Sequence, residues 1–260
     1  MSVSVLLVST VSASWKKIAI FGTTINASFF FNEQRGIIAI DGQTGIFRTS
    51  DGGKTWQGST IPIGFGGFFT DIYMRDSLNG WVTIEEYGNN FARGLWSTTD
   101  GGATWVSDPA IAGLFTSVYQ TPYALVVGDR YTLNRLSVSN NNGASFARMS
   151  LDRFNGINFV DDFHGVASCF SANNLNNPGT AVFTTDGGNT WQKTSAVTVE
   201  AWGVYAQKGS PNFVIAGEIA QTIPASFENI YGSTDFGANW QTFGYINGRT
   251  TGHIAGVGPV

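Results

Sequence analysis

Short apolar or alternating runs recur along the chain, and each ends on a polar, glycine-bearing turn. The runs "GIFRTS" (45–50), "GLWSTT" (94–99), "TAVFTT" (180–185) and "NIYGST" (229–234) all lead into such a turn, and a short strand-like segment follows it. Further upstream lie two more runs of the same kind, "DIYMRD" then "GWVTIEE" before one turn and "GINFVDD" then "HGVASCF" before another. Period-two or fully apolar runs of this length between turn residues predict β-strands. The pattern therefore predicts four short strands per unit, with the turn between the third and the fourth.

The turns are copies of one motif. "TSDGGKTW" (49–56) returns as "TTDGGATW" (98–105) and "TTDGGNTW" (184–191), and in degraded form as "SNNNGASF" (139–146) and "STDFGANW" (233–240). The aspartate position falls at 51, 100, 141, 186 and 235, with intervals of 49, 41, 45 and 49 residues. Four strands repeated every ~46 residues match the blade of a β-propeller.

A carboxylate, glycines and a hydroxyl packed into eight residues resemble a catalytic or ion-binding loop, but turn chemistry accounts for each of them. Asp51, Asp100, Asp186 and Asp235 can accept backbone N–H groups of their own turns. Gly53, Gly102, Gly143, Gly188 and Gly237 supply the positive φ of a tight hairpin. Thr55, Thr104 and Thr190 can bond locally. Trp56, Trp105, Trp191 and Trp240 can close the turn by packing between blades. Burying an indole removes about 150–250 Å² from water, roughly 4–6 kcal/mol as an upper figure. Asn141 keeps the acceptor without the charge, and Phe146 keeps the large ring. Those replacements suit a turn staple and would be poor in a metal ligand or a general acid.

The motif resembles the Asp-box, or bacterial-neuraminidase repeat, of sialidases, xyloglucan-degrading endoglucanases, sortilin-type receptors and photosystem II assembly factors. The phrases "DSLNGWVTIEE…GLWSTTDGGATW" and "FVDDFHGVASCF…AVFTTDGGNTW" are most similar to the last group. The resemblance implies an all-β chain, a single β-propeller domain over residues 1–260 built of four-stranded Asp-box blades. At this period the length holds between five and six blades. Thr10 and Ser14-Trp15 align with the Asp and Thr-Trp positions of the motif, and Gly252–Val260 stands where another first strand begins. The expectation is thus six blades, the last closed by N- and C-terminal strands, which would hide both sheet edges. If residues 1–14 are a leader peptide, five blades follow. The photosystem family is expected to have seven blades, so either count is a departure.

Composition agrees with strands and turns: hydrophobic residues are 42%, aromatic residues 14%, charged residues only 12%, and Gly numbers 33 against 7 Pro. A net charge of −4 without a Lys/Arg run argues against nucleic acid. The single cysteine, Cys169, excludes an intrachain disulfide framework and reads as a small buried hydrophobe. No apolar run is long enough to span a membrane as a helix. The N-terminal "MSVSVLLVSTVSASW" is apolar but lacks the basic start of a secretory signal, so leader and strand stay open.

In a blade the motif turn shares one face with the first-to-second-strand turn, and the opposite face receives longer loops. These are "YGNNFARG" (87–94), "DRYTLN" (129–134), "SANNLNNPG" (171–179) and "QTIPASFEN" (221–229), joined by "IPIGFGGFF" (61–69). Loops on a rigid scaffold are the usual seat of binding. The candidate binding residues are therefore Tyr87, Asn89, Asn90, Phe91, Arg93, Asp129, Arg130, Tyr131, Asn173, Asn174 and Phe227, whose chemistry suits a protein loop or a glycan. "DDFHG" (161–165) sets Asp161 and Asp162 beside His164, but its place matches a turn rather than a metal or catalytic site. Glu85-Glu86 has no partner that spacing identifies, and neither has His253.

The functional expectation is a binding or assembly propeller without cofactor or metal, recognising a protein or cell-surface glycan partner. An extracellular or virion-surface adhesin is the alternative, and low charge with abundant Asn, Ser and Thr slightly favours an extracytoplasmic setting. A glycoside hydrolase of the Asp-box type is the third reading. The arginine motif of sialidases is missing, since "TIPIG" follows the first box and lacks Arg. The photosystem family is expected to bind through an arginine-rich patch, whereas the arginines here are scattered.

Overall fold

The computed structural model describes residues 24–40, 45–61, 67–86, 94–129, 135–150, 153–170, 181–194, 200–218 and 227–247. Every regular element among them is a strand, and the strands form five antiparallel sheets of four in simple meander order. Blade 1 is β1 (Ile25–Phe30), β2 (Gly36–Ile40), β3 (Gly45–Thr49) and β4 (Gln57–Thr60). Blade 2 is β5 (Gly67–Met74), β6 (Gly80–Glu86), β7 (Gly94–Thr98) and β8 (Val106–Ser107). Blade 3 is β9 (Phe115–Gln120), β10 (Leu125–Asp129), β11 (Arg135–Ser139) and β12 (Ala147–Ser150). Blade 4 is β13 (Arg153–Phe159), β14 (Gly165–Phe170), β15 (Ala181–Thr184) and β16 (Gln192–Lys193). Blade 5 is β17 (Glu200–Ala206), β18 (Phe213–Glu218), β19 (Phe227–Ser233) and β20 (Gln241–Asn247). In each blade the motif turn joins the third strand to the fourth, as the pattern predicts.

The core lies in the seams between neighbouring blades. Strands β2 (GIIAI) and β10 (LVVGD) are buried along their whole length, as middle strands covered on both faces must be. Four apolar clusters fill the seams from blade 1 to blade 5, and each takes the large ring of the following blade's motif. Trp105 joins Ile37, Ile46 and Val82 between blades 1 and 2, and Phe146 packs with Trp81, Phe115 and Leu125 between blades 2 and 3. Trp191 joins Val126, Phe159 and Cys169 between blades 3 and 4, and Trp240 joins Val166, Ala181 and Ile215 between blades 4 and 5. Trp56 of blade 1 belongs to none of these clusters and is half-buried. The innermost strands pack in chain order, β1 on β5, β5 on β9, β9 on β13 and β13 on β17, and among the described residues β17 makes no comparable contact with β1. The expected sixth blade falls on 1–23 and 248–260, outside the described residues.

Each innermost strand carries a β-bulge at the same place: at Asn26, Thr70, Thr116, Asn155 and Trp202. Three of these side chains tie one blade to the next. Thr70 Oγ1 donates to the Phe115 carbonyl at 2.6 Å, Thr116 Oγ1 to the Phe154 carbonyl at 2.6 Å, and Asn155 Nδ2 to the Ala201 carbonyl at 2.8 Å. A bulge re-aims a side chain out of the strict alternation, and here it aims a donor across the seam.

Candidate functional site

The motif turns are closed hydrogen-bond networks. In blade 1, Asp51 Oδ1 accepts the Thr55 amide at 2.9 Å and Oδ2 accepts the Thr55 hydroxyl at 2.7 Å. Thr49 Oγ1 donates to Asp51 Oδ1 and accepts the Gly53 amide, both at 2.9 Å. The pattern repeats around Asp100 with Thr98 and Thr104, around Asp186 with Thr184 and Thr190, and around Asp235 with Ser233 and Asn239. In blade 3, Asn141 Oδ1 takes the carboxylate's place toward the Ser145 amide, and Asn141 Nδ2 donates to the Ser145 hydroxyl at 2.8 Å. Indole N–H groups of Trp56, Trp191 and Trp240 donate back to the carbonyls of Gly53, Gly188 and Gly237.

The first hydroxyl of the motif has a central part that its exposed-looking sequence position conceals. Thr49, Thr98, Ser139, Thr184 and Ser233 are all buried, and each joins carboxylate or amide to the glycine N–H. Charge-accepting hydrogen bonds favour the ionised aspartate. The Thr55 hydroxyl and amide hold Asp51 at about 2. For Asp100, burial pushes upward but the Thr104 and Thr98 bonds outweigh it, and the value again falls to about 2. Asp186 and Asp235 are lowered in the same sense.

The turn geometry requires φ above zero at two successive positions. Gly52, Gly101 and Gly187 adopt φ of 71–73°, while Asn142 and Phe236 occupy the same position at 55° and 60°. A bulky side chain in the left-handed region costs roughly 1–2 kcal/mol. The Phe236 ring stacks on the His164 imidazole at 4.0 Å.

Motif turns and first-to-second-strand turns occupy one end of the blades. The amides of Gly52, Gly101, Gly187 and Phe236 each donate to a carbonyl of the other turn in their own blade, at Gln34, Leu78, Phe163 and Pro211. A groove of about 320 Å³ opens on this end between blades 1 and 2, with Arg35 and Arg48 on its wall. A second, of about 380 Å³, lies between blades 2 and 3 beside Arg75 and Asn142. Phe29, Tyr73, Tyr119 and Phe159, from β1, β5, β9 and β13, form a continuous ring-to-ring series at 5.7, 4.4 and 4.6 Å. Lys208, in the turn after β17, donates to the Tyr119 hydroxyl and sits 4.9 Å from its ring centroid. Burial raises the pKa of Tyr73 and Tyr119 and lowers that of Lys208.

Of the expected loop residues, Tyr87, Asn89, Asn90, Phe91, Arg93, Arg130, Tyr131, Asn173 and Asn174 lie outside the described residues. Two others are placed in strands. Asp129 ends β10 and is completely buried, with its Oδ2 against Gly113. Arg135 is its backbone partner across the ladder, and burial lowers the Arg135 pKa while Asp129 opposes that shift. A polar "DR" pair reads as a loop in sequence, but here the ladder continues through its first member. Phe227 opens β19 and pairs with Asn247. His164 Nδ1 lies 2.8 Å from Asp161 Oδ2, and Asp161 Oδ1 also accepts the Phe163 and His164 amides at 2.7 Å, so "DDFHG" is a self-capped turn. Glu85, near the end of β6, is buried. Among the described residues no group of three or more His, Cys, Asp or Glu is placed to hold a metal ion. No described helix is long and apolar enough to cross a membrane.

Comparisons with solved structures agree with the architecture. The GH74 enzyme of Niastella koreensis superposes with a TM-score of 0.65 at 15% identity, over 84% of this chain and 38% of that one. YCF48 bound to D1 peptide gives 0.57 at 17% identity, over 86% of this chain and 69% of that one. YCF48 from Cyanidioschyzon merolae gives 0.52 at 13% identity, over 88% of each chain. The chain spans well under two thirds of the GH74 enzyme, and identities this low show the fold alone. No family model and no curated protein matches the chain. The chain is a β-propeller, similar in fold to YCF48 and to the GH74 propeller enzymes.

Proposed function

We propose that this propeller is a non-catalytic binding or assembly module that recognises a protein partner on the loop face opposite the motif turns. One observation carries the reading: the repeated carboxylates and hydroxyls, the chain's most chemically suggestive groups, all bond within their own turns. That leaves the loops to vary on a fixed scaffold. The structure of YCF48 with a D1 peptide gives a propeller of similar fold that binds a protein segment, and the partner of this chain follows from that analogy in class only. The test is cross-linked co-purification of the tagged protein from its native source, with bound proteins and glycans both analysed. A defined protein partner, lost when Phe91 and Tyr131 are both changed to Ala, supports the reading. Bound glycan without protein moves it to an adhesin, and shortened glycan moves it to a glycoside hydrolase.

A further inference from the structure

A second surface lies on the motif-turn face, away from the loop face. Tyr123 and Phe163, from the first-to-second-strand turns of blades 3 and 4, are 44% and 46% exposed with rings 5.0 Å apart. The series continues through His164 to Phe236 in the motif turn of blade 5. It crosses two seams and is rigidly mounted. Tyr123 lies so close over the backbone of Gly187 that a Cβ there would stand 2.5 Å from its ring. Thr121 Oγ1 bonds the Gly187 carbonyl at 2.7 Å, and Asp161 holds the imidazole. Exposed rings clustered on rigid turns mark a contact surface rather than a core.

The charge in the Phe163 turn indicates what the surface would take. Asp162 is exposed and makes no hydrogen bond or ion pair among the described residues. Lys208, the cation whose field reaches Asp161 and Asp162, is engaged with Tyr119. The amides of Phe163 and His164 already donate to Asp161. An exposed carboxylate next in the chain to Phe163, in the same turn as that exposed ring, matches a guanidinium: it stacks on an aromatic face while its N–H fork meets a carboxylate. We infer that the Tyr123–Phe163–Asp162 surface docks an arginine-bearing peptide segment of a protein partner.

The test uses the full chain and an acetylated, amidated Gly-Arg repeat hexapeptide, with its citrulline counterpart and neutral oligosaccharides as competitors. The Gly-Arg peptide binds the wild type, the citrulline peptide does not, and added salt weakens the complex. Asp162→Asn and Phe163→Ser each weaken binding by about fivefold or more. Both positions are exposed, so each variant keeps the wild-type melting temperature. Equal binding of the arginine and citrulline peptides, equal affinity in wild type and variants, or a preference for oligosaccharide overturns the inference. This surface is separate from the loop face, so neither result bears on the Phe91/Tyr131 experiment.

Discussion

Blades 3 and 4 build the same turn from different chemistry. Blade 4 uses a carboxylate, two threonines and a buried indole: Asp186, Thr184, Thr190 and Trp191. Blade 3 uses an amide, two serines and a half-buried phenyl ring: Asn141, Ser139, Ser145 and Phe146. The hub distances are nearly unchanged, with the glycine amide 3.0 Å from Thr184 Oγ1 and 2.8 Å from Ser139 Oγ. Only the last bond reverses. The Thr190 hydroxyl donates to Asp186, whereas the Ser145 hydroxyl accepts from Asn141. The turn therefore needs an acceptor, a hydroxyl hub and a ring in the seam, and it does not need a charge.

The largest contrast is expected from the rings. Trp191→Ala should cost about 3–5 kcal/mol in chemical denaturation, because it opens a cavity between blades 3 and 4. Phe146→Ala should cost about 1–3 kcal/mol, since the smaller ring is already half-exposed. Equal losses would show that the blade 3 turn is not the looser staple.

Removing the hub should come next. Thr184→Val leaves the buried Gly188 amide without its acceptor and takes from Asp186 one donor, its bonds from Thr190 remaining, costing about 1–3 kcal/mol. The same measurement on Ser139→Ala should give a loss of similar size if the hub is shared by both blades.

Acid sharpens the comparison further. Asp51 and Asp100 fall from 3.8 to about 2 in the folded protein. A lowered folded value means that stability is fully present above the unfolded pKa and is lost as pH drops from 3.8 toward 2. Thermal melts across that window should show the loss in wild type and a flatter limb when Asp51, Asp100, Asp186 and Asp235 are all Asn. The motif turn of blade 3 contributes nothing to the limb, because it carries Asn141 in place of the carboxylate. The smallest effect is the reverse change: Asn141→Asp should shift stability by no more than about 0.5 kcal/mol, measured at neutral pH.

The motif turns were legible in sequence because their chemistry is local: acceptor, glycine and ring lie within eight residues of each other, at positions 51, 100, 141, 186 and 235. The four-strand blade followed from the runs between them. The bulges were not legible, since Asn26, Thr70, Thr116, Asn155 and Trp202 follow no single residue type and interrupt the alternation that marks a strand. Asp129 misled for a related reason: an aspartate followed by an arginine suggests a loop, whereas the ladder runs through Asp129 and buries it. The aromatic surface was hidden too. Tyr123, Phe163 and Phe236 come from three blades, and only the seam packing brings them together.

The central claim is that the repeated carboxylate is architecture. Thermal unfolding of Asp186→Ala against wild type at neutral pH tests it most directly. The account predicts a clearly lower melting temperature for the variant, because Oδ1 and Oδ2 together accept from Thr184 and Thr190. An unchanged melting temperature would contradict it and return the motif to the list of functional sites.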